Sequence, residues 1–309
     1  MSAGRRKCGP QIRSVRSKAW ESPSPQTAAS YSGGVDETRQ IKQTVRTIAA
    51  RYPDLPGNRA GDFAHPRAEV TLERTAFDLS LIADILQRPT ATVLDVGGGL
   101  GLFASCAAAL GARSLLMDDL KWLLGDPKHR QFYDVLQQLW SELGVELVSR
   151  DVIRDGLGDD VGDIDAVTQF HFMEHAHASP KGLFHAEVDR LRPGGRFVIA
   201  VPNCSNLRKR ITTPIGKTKW SPMDEWYDEP AFHGHVREPD VDDLMYIARD
   251  LGLENVSVVG RNFLGLANPA MGRRLAAQAT DKVLRRRPSL CSDIYLVGDK
   301  PTRERSEAA

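Results

Sequence analysis

The chain has 309 residues, 41% of them hydrophobic, and a formal net charge of +1. That is enough apolar material for one large α/β domain with additions, and too little charge for a general binder of nucleic acid or membrane surfaces. No apolar run approaches the ~18 residues of a membrane span, and four scattered cysteines without a C-x-x-C pair fit a reduced, cytoplasmic setting.

Residues 1–35 are rich in Ser, Pro, Ala and Arg and lack apolar periodicity, so they are expected to form a disordered tail. Their acid-poor start, Arg5 to Lys18 before Glu21, has the composition either of such a tail or of a mitochondrial presequence. A helical segment is expected over 36–89. Ile41, Val45 and Ile48 share one face, Pro53 and Pro56 interrupt the pattern, and a second helix runs through Leu72, Ala76, Leu79, Ile82, Ala83 and Leu86 to Pro89. Strands and helices then alternate. Strands are predicted at Val93–Val96, Ser114–Met117, Val145–Val148, Ile164–Phe170 and Arg196–Val201. Amphipathic helices are predicted through Phe132–Leu143 and Leu183–Leu191, the latter stopped at Arg192-Pro193-Gly194-Gly195. Residues 203–238 are aromatic-rich, with Trp220, Trp226, Tyr227 and Phe232, and have little periodicity. A helix (Val241–Leu251), a strand (Val256–Val259), a basic helix near 270–287 and a strand (Asp293–Val297) complete the series. Arg208-Lys209-Arg210 and Arg285-Arg286-Arg287 read as solvated charge, and 302–309 as a frayed tail. The alternation predicts a parallel sheet with helices on both faces.

Between the first strand and its helix lies Asp95-Val96-Gly97-Gly98-Gly99-Leu100-Gly101. Glycine is needed where a strand turns sharply into a helix and bare backbone must meet a ligand. A dinucleotide fingerprint, G-x-G-x-x-G, would place its third glycine at position 102, which is Leu102. The pattern present is D-x-G-x-G-x-G, on Asp95, Gly97, Gly99 and Gly101. It resembles motif I of the class I S-adenosylmethionine-dependent methyltransferases, and Leu191-Arg192-Pro193-Gly194-Gly195 resembles that family's turn into strand five. The resemblance covers about Thr90 to Pro301. It implies a Rossmann-like, doubly wound, mostly parallel seven-stranded sheet with strand 7 antiparallel, forming a domain at 90–301 with an acceptor-pocket insertion at 203–238, and S-adenosyl-L-methionine as cofactor.

Asp118 ends the second strand, 17 positions after Gly101. A carboxylate there can accept both ribose hydroxyls, whereas an ordinary turn aspartate is the plainer alternative; Asp119 is the fallback. Asp151, after the third strand, occupies the family's position near the adenine amino group, or is simply a loop aspartate.

His171-Phe172-Met173-Glu174-His175 fits H-x-x-E-H, a zinc-peptidase pattern when helical. Its place directly after a strand instead resembles the Glu-His pair of ubiquinone-pathway O-methyltransferases. Some of those hold a divalent metal with Glu-x-x-Glu-His, and His171 replaces the first Glu, so no metal is expected here. Phe232-His233-Gly234-His235-Val236-Arg237-Glu238 resembles a stretch found in methyltransferases acting on sugars and other small molecules. His175, His233 and His235 are the candidate general bases, histidine being suited to an alcohol or phenol nucleophile at neutral pH.

The expected activity is O-methylation of a small molecule or glycan precursor by in-line displacement. The alternatives are a nicotinamide-dependent oxidoreductase, which wants the missing third glycine, and a non-catalytic S-adenosylmethionine-binding module. Base methylation of RNA would want an acid-Pro-Pro-aromatic motif, which Gln169-Phe170-His171-Phe172 does not match.

Overall fold

The central strands are apolar on consecutive residues, as a strand must be when both of its faces are covered. In the computed structural model, which describes residues 35–53, 65–125, 127–217, 221–228, 232–263 and 271–302, β1 (Thr92–Val96) is buried throughout, and β4 (Ile164–Phe170) at all but its last residue. They lie mid-sheet with β2 (Arg113–Asp118), β3 (Val145–Ser149), β5 (Leu191–Pro202), β6 (Glu254–Arg261) and β7 (Asp293–Asp299). The order is β3-β2-β1-β4-β5-β7-β6. Parallel pairing runs from β3 to β5, and β7 is antiparallel to both neighbours. The seven-stranded sheet with a reversed strand 7 is therefore as expected.

Alternate residues of each strand feed opposite cores. Leu94, Val96, Leu115, Met117, Phe197 and Ile199 pack with Leu183, Phe184 and Leu244 on one side. Val93, Leu116, Val198 and Ala200 pack on the other with Phe103, Leu136, Trp140 and the N-terminal helices. The helix Val35–Ala49 buries Ile41, Val45 and Ile48, the predicted face. After it, Tyr52 places its hydroxyl 2.8 Å from Ser105 Oγ on the helix Leu102–Ala109, tying the N-terminal segment to the glycine-loop helix.

Two elements differ from expectation. The second N-terminal helix ends at Ser80, and a separate turn of helix covers Ala83–Leu86. Tighter bonds, Leu81 N to Asp78 O and Ile82 N to Leu79 O, close the first helix, and the Leu81 carbonyl takes a bond from Arg196 Nη1 at 3.0 Å. The helix Lys181–Arg190 ends directly before the Arg192–Gly195 turn, as expected, but β5 begins earlier than expected, at Leu191, and carries that turn as a bulge where pairing jumps from Ile164–Leu191 to Ala166–Arg196. The two expected tails lie almost wholly outside the described residues.

Neighbouring strands leave in opposite directions at β1 and β4: β1 leads to β2 and β3, β4 to β5 and beyond. Open α/β sheets bind ligands in the crevice at the carboxyl ends of such a pair. The glycine loop follows β1, and His171–His175 follows β4.

Candidate active site

At the end of β1 the chain donates Gly97 N to Met117 O (2.8 Å) and closes a turn from Gly101 N to Gly98 O (2.9 Å). Gly97, Gly99 and Gly101 all have positive φ (66°, 55° and 70°), a region that a Cβ disfavours. Their surroundings differ. A Cβ on Gly97 would collide with Phe172, and one on Gly101 would come within 2.7 Å of Leu116 and 2.9 Å of Trp140 Nε1. One on Gly99 would meet nothing within 4 Å. Gly97 and Gly101 are thus packed against protein, while Gly99 faces open space. Trp140 holds the loop from the side by donating Nε1–H to Leu100 O at 3.1 Å.

Asp118 reaches this loop from the tip of β2. Its Oδ2 accepts from Gly99 N (2.9 Å) and its Oδ1 from Leu120 N (2.7 Å). Burial raises its pKa, and those two N–H groups oppose the rise. Each oxygen keeps a second lone pair for a further donor. Asp119 turns away, its carboxylate taking Lys121 N and Lys121 Nζ. Asp151 Oδ1 caps the turn Val152–Asp155 through Arg154 N, and its Oδ2 meets Lys121 Nζ at 2.6 Å, which holds its carboxyl below the usual range. Asp95 lies beneath the loop, 1% exposed, with Thr168 Oγ1 donating to Oδ1 at 2.9 Å. Burial pushes its pKa up to about 7. Its carboxylate lies close beside Gly98, where a Cβ would collide with Oδ2.

The second half of the site is built from two segments far apart in sequence. His171 adopts φ 58°, unusual for a residue with a side chain, and its N–H bonds Ala200 O on β5 at 2.9 Å. That reversal sends the chain into the single 3₁₀ turn Met173–His175 and buries Glu174 completely. The Glu174 carbonyl then accepts Val236 N at 2.7 Å, docking the distant insertion on the β4 loop. Alongside, His175 Nδ1 lies 2.9 Å from His233 O, and His177 Nε2 3.3 Å from Phe232 O. The rings of His175 and His235 meet edge to face, 4.9 Å between centroids. His235 Nδ1 is 2.8 Å from Glu238 Oε1, and that bond raises the His235 pKa against the effect of burial. Burial pushes the Glu238 carboxyl up, but His235 and Lys209 outweigh it and hold it low.

The expected histidines therefore separate. His175 and His235 come together; His233 contributes its carbonyl, and its side chain is exposed. Two partners escaped the sequence reading. Glu238 stands three residues after His235, a spacing that could have signalled the pair. Lys209, read as solvated charge, is largely buried against Glu238, and nothing local marks it. In the insertion, short helices form at Leu207–Thr212 and Met223–Tyr227 where none was expected. Trp226 and Tyr227 are exposed (60% and 76%), and Trp220 lies outside the described residues.

The sheet order with its one reversed strand, the D-x-G-x-G-x-G turn after β1 and the acid at the tip of β2 define a class I S-adenosylmethionine-dependent methyltransferase. A family model described as a methyltransferase domain matches residues 68–258, well over half of the chain, and the chain belongs to that family. The oxidoreductase alternative is thereby set aside. No curated protein matches the chain by sequence. Among solved structures it is similar to an S-adenosylmethionine-dependent methyltransferase from Archaeoglobus fulgidus, at 18% identity over 76% of this chain and 96% of that one (TM-score 0.47). It is also similar to phosphoethanolamine N-methyltransferase 2 of Haemonchus contortus, at 16% identity over 87% of this chain and 61% of that one (TM-score 0.48). A third is an O-methyltransferase family protein from Burkholderia thailandensis, at 16% identity over 88% and 75% (TM-score 0.41).

Proposed function

We propose that the protein methylates an oxygen nucleophile of a small molecule or glycan precursor, with His235 as the group that takes the acceptor's proton. The observation that carries the reading is the joining of two segments at the end of β4: His175 and His235 in ring contact, with Glu238 behind His235.

The residues present suit the cofactor. Gly99 offers backbone beside open space, where a side chain would intrude, and Asp118 keeps two lone pairs for the ribose hydroxyls. Asp151 is the candidate for the adenine edge, with Gly97 and Gly101 shaping the loop. Bound there, S-adenosyl-L-methionine supplies an electrophilic methyl group on a sulfonium.

Displacement at a methyl group asks the protein for alignment and a dry site more than for covalent chemistry. An alcohol also has to lose its proton. A carboxylate only accepts, so Glu238 fixes hydrogen on His235 Nδ1 and leaves a lone pair on Nε2 for the acceptor hydroxyl. The exposed Trp226 and Tyr227 would give the acceptor an apolar wall on the insertion.

The test is His235→Ala. S-adenosylhomocysteine affinity should stay within about twofold of wild type, while turnover falls by about 10²–10⁴-fold, the usual contribution of a general base. Full turnover in this variant would remove His235 from the chemistry. The acceptor itself is found by mass spectrometry, as a methyl-sized gain across hydroxylated metabolites and nucleotide sugars.

A further inference from the structure

One feature of the histidine cluster is not needed by a simple base. Glu174, His175 and His235 offer ligand atoms that all lie within 4.8 Å of one another. Glu174 is fully buried, and its two oxygens differ: Oε1 lies 3.3 Å from His171 Nδ1, while Oε2 is buried with no hydrogen-bond partner. A buried carboxylate oxygen without a donor is unfavourable unless something else meets it. The two histidines are oriented with equal care. A carbonyl and a carboxylate can only accept, so His175 must donate Nδ1–H to His233 O and His235 must donate Nδ1–H to Glu238. With Nδ1 carrying the hydrogen, each ring in its neutral form presents an Nε2 lone pair. Holding a ligating histidine by its other nitrogen on a backbone carbonyl or a carboxylate is how proteins set the tautomer and direction of a metal ligand.

We infer that Glu174, His175 and His235 form a binding site for a divalent transition-metal ion, with zinc the favoured occupant. Two imidazoles and one carboxylate suit zinc and its neighbours better than magnesium or calcium, which prefer all-oxygen shells. Three protein ligands leave a fourth position open, the arrangement of catalytic rather than structural zinc. Ligands at zinc distances are about 3.4 Å apart in a tetrahedron, so an ion would draw these three atoms together by modest side-chain rotation. The local charge also favours a cation. Glu238 lies behind His235, and Asp293 Oδ1 is 3.9 Å from His171 Nε2, with Lys209 the opposing charge on Glu238.

Such a site departs from the expectation of no metal, because His235, from an insertion some sixty residues downstream, would supply the ligand that the β4 loop alone lacks. A bound ion would occupy the His235 Nε2 lone pair, so in the metal form its open position would stabilise the acceptor oxygen's negative charge in place of His235 acting as a base; the base role belongs to the metal-free site. The inference rests on the cluster's geometry and not on the identity of the acceptor, so its test reads the ion directly.

Untagged full-length protein, stripped by a chelator and dialysed, is titrated with zinc in competition with a chromophoric chelator, and then with cobalt. One zinc per chain should bind, and the cobalt form should show the visible absorption of a four- or five-coordinate site. His175→Ala and His235→Ala should each weaken zinc binding at least ~100-fold, and Glu238→Gln about 10–100-fold as a supporting residue. His185→Ala, at a surface histidine paired with Asp250, should leave binding unchanged. The histidine variants carry the test because both side chains reach the surface and their loss does not empty the core. S-adenosylhomocysteine binding, measured on each, confirms that the fold is intact. Failure of the wild type to bind zinc stoichiometrically would overturn the site, as would equal affinity in the two histidine variants. Neither result would touch the methyltransferase assignment.

Discussion

Gly99 and Gly101 share a backbone conformation but have different surroundings, and that difference is testable. Each would suffer the ~1–2 kcal/mol penalty of a left-handed L-residue. Gly101→Ala must also displace Leu116 or Trp140, whereas Gly99→Ala meets only open space. Thermal melts should therefore show Gly101→Ala clearly the less stable. Calorimetry should show Gly99→Ala folded but weakened in S-adenosylhomocysteine binding, since its methyl projects where the cofactor is expected. Asp95 gives a second residue-scale prediction. Its pKa is raised by burial from 3.8 to about 7 in the folded chain. Between those values the unfolded chain releases this proton and the folded chain keeps it, so stability falls as pH rises through the window. Denaturant titrations from pH 4 to pH 7 should show that fall, and Asp95→Asn should reduce its slope, the remainder coming from Asp78, which burial pushes up to about 8.

At the scale of elements, the insertion divides into a docked part and an exposed part. Residues 232–238 are anchored through Val236 N to Glu174 O and through the histidine contacts. The helix Met223–Tyr227 leaves Met223, Trp226 and Tyr227 largely in solvent. Three large apolar side chains exposed on one short helix suit a binding surface. Trp226→Ala combined with Tyr227→Ala should leave the melting temperature within about 1 °C, since surface substitutions cost little, and should raise the acceptor KM with kcat less affected. A large loss of melting temperature with normal kinetics would make these aromatics structural. Legibility in the sequence followed the same division. Periodic elements such as the helix carrying Ile41, Val45 and Ile48 could be read directly, and so could the glycine turn and Asp118, because local spacing encodes them. The break at Leu81 could not, because the partner of the Leu81 carbonyl is Arg196, far away in sequence on β5. Nor could the meeting of His175 with His235, which depends on a positive φ at His171 and a backbone bond across the cleft.

For the whole molecule, the sheet reverses its strand order between β1 and β4 and so brings both halves of the site to one edge. The loop after β1, with Asp118 beside it, forms one wall, and the loop after β4, closed by the insertion, forms the other. Phe172, immediately after His171, packs against Gly97 and joins the two walls. The proposed cofactor and acceptor functions would thus be adjacent in space yet carried by separate segments, so that each is expected to be removable without the other. The central claim, that this edge is an S-adenosyl cofactor site, is tested most directly by calorimetric titration of the full-length protein with S-adenosylhomocysteine, with NAD as the control. The account predicts one S-adenosylhomocysteine bound per chain, no heat with NAD, and loss of most of the affinity in Asp118→Ala. Binding of NAD in place of S-adenosylhomocysteine, or wild-type S-adenosylhomocysteine affinity in Asp118→Ala, would contradict it.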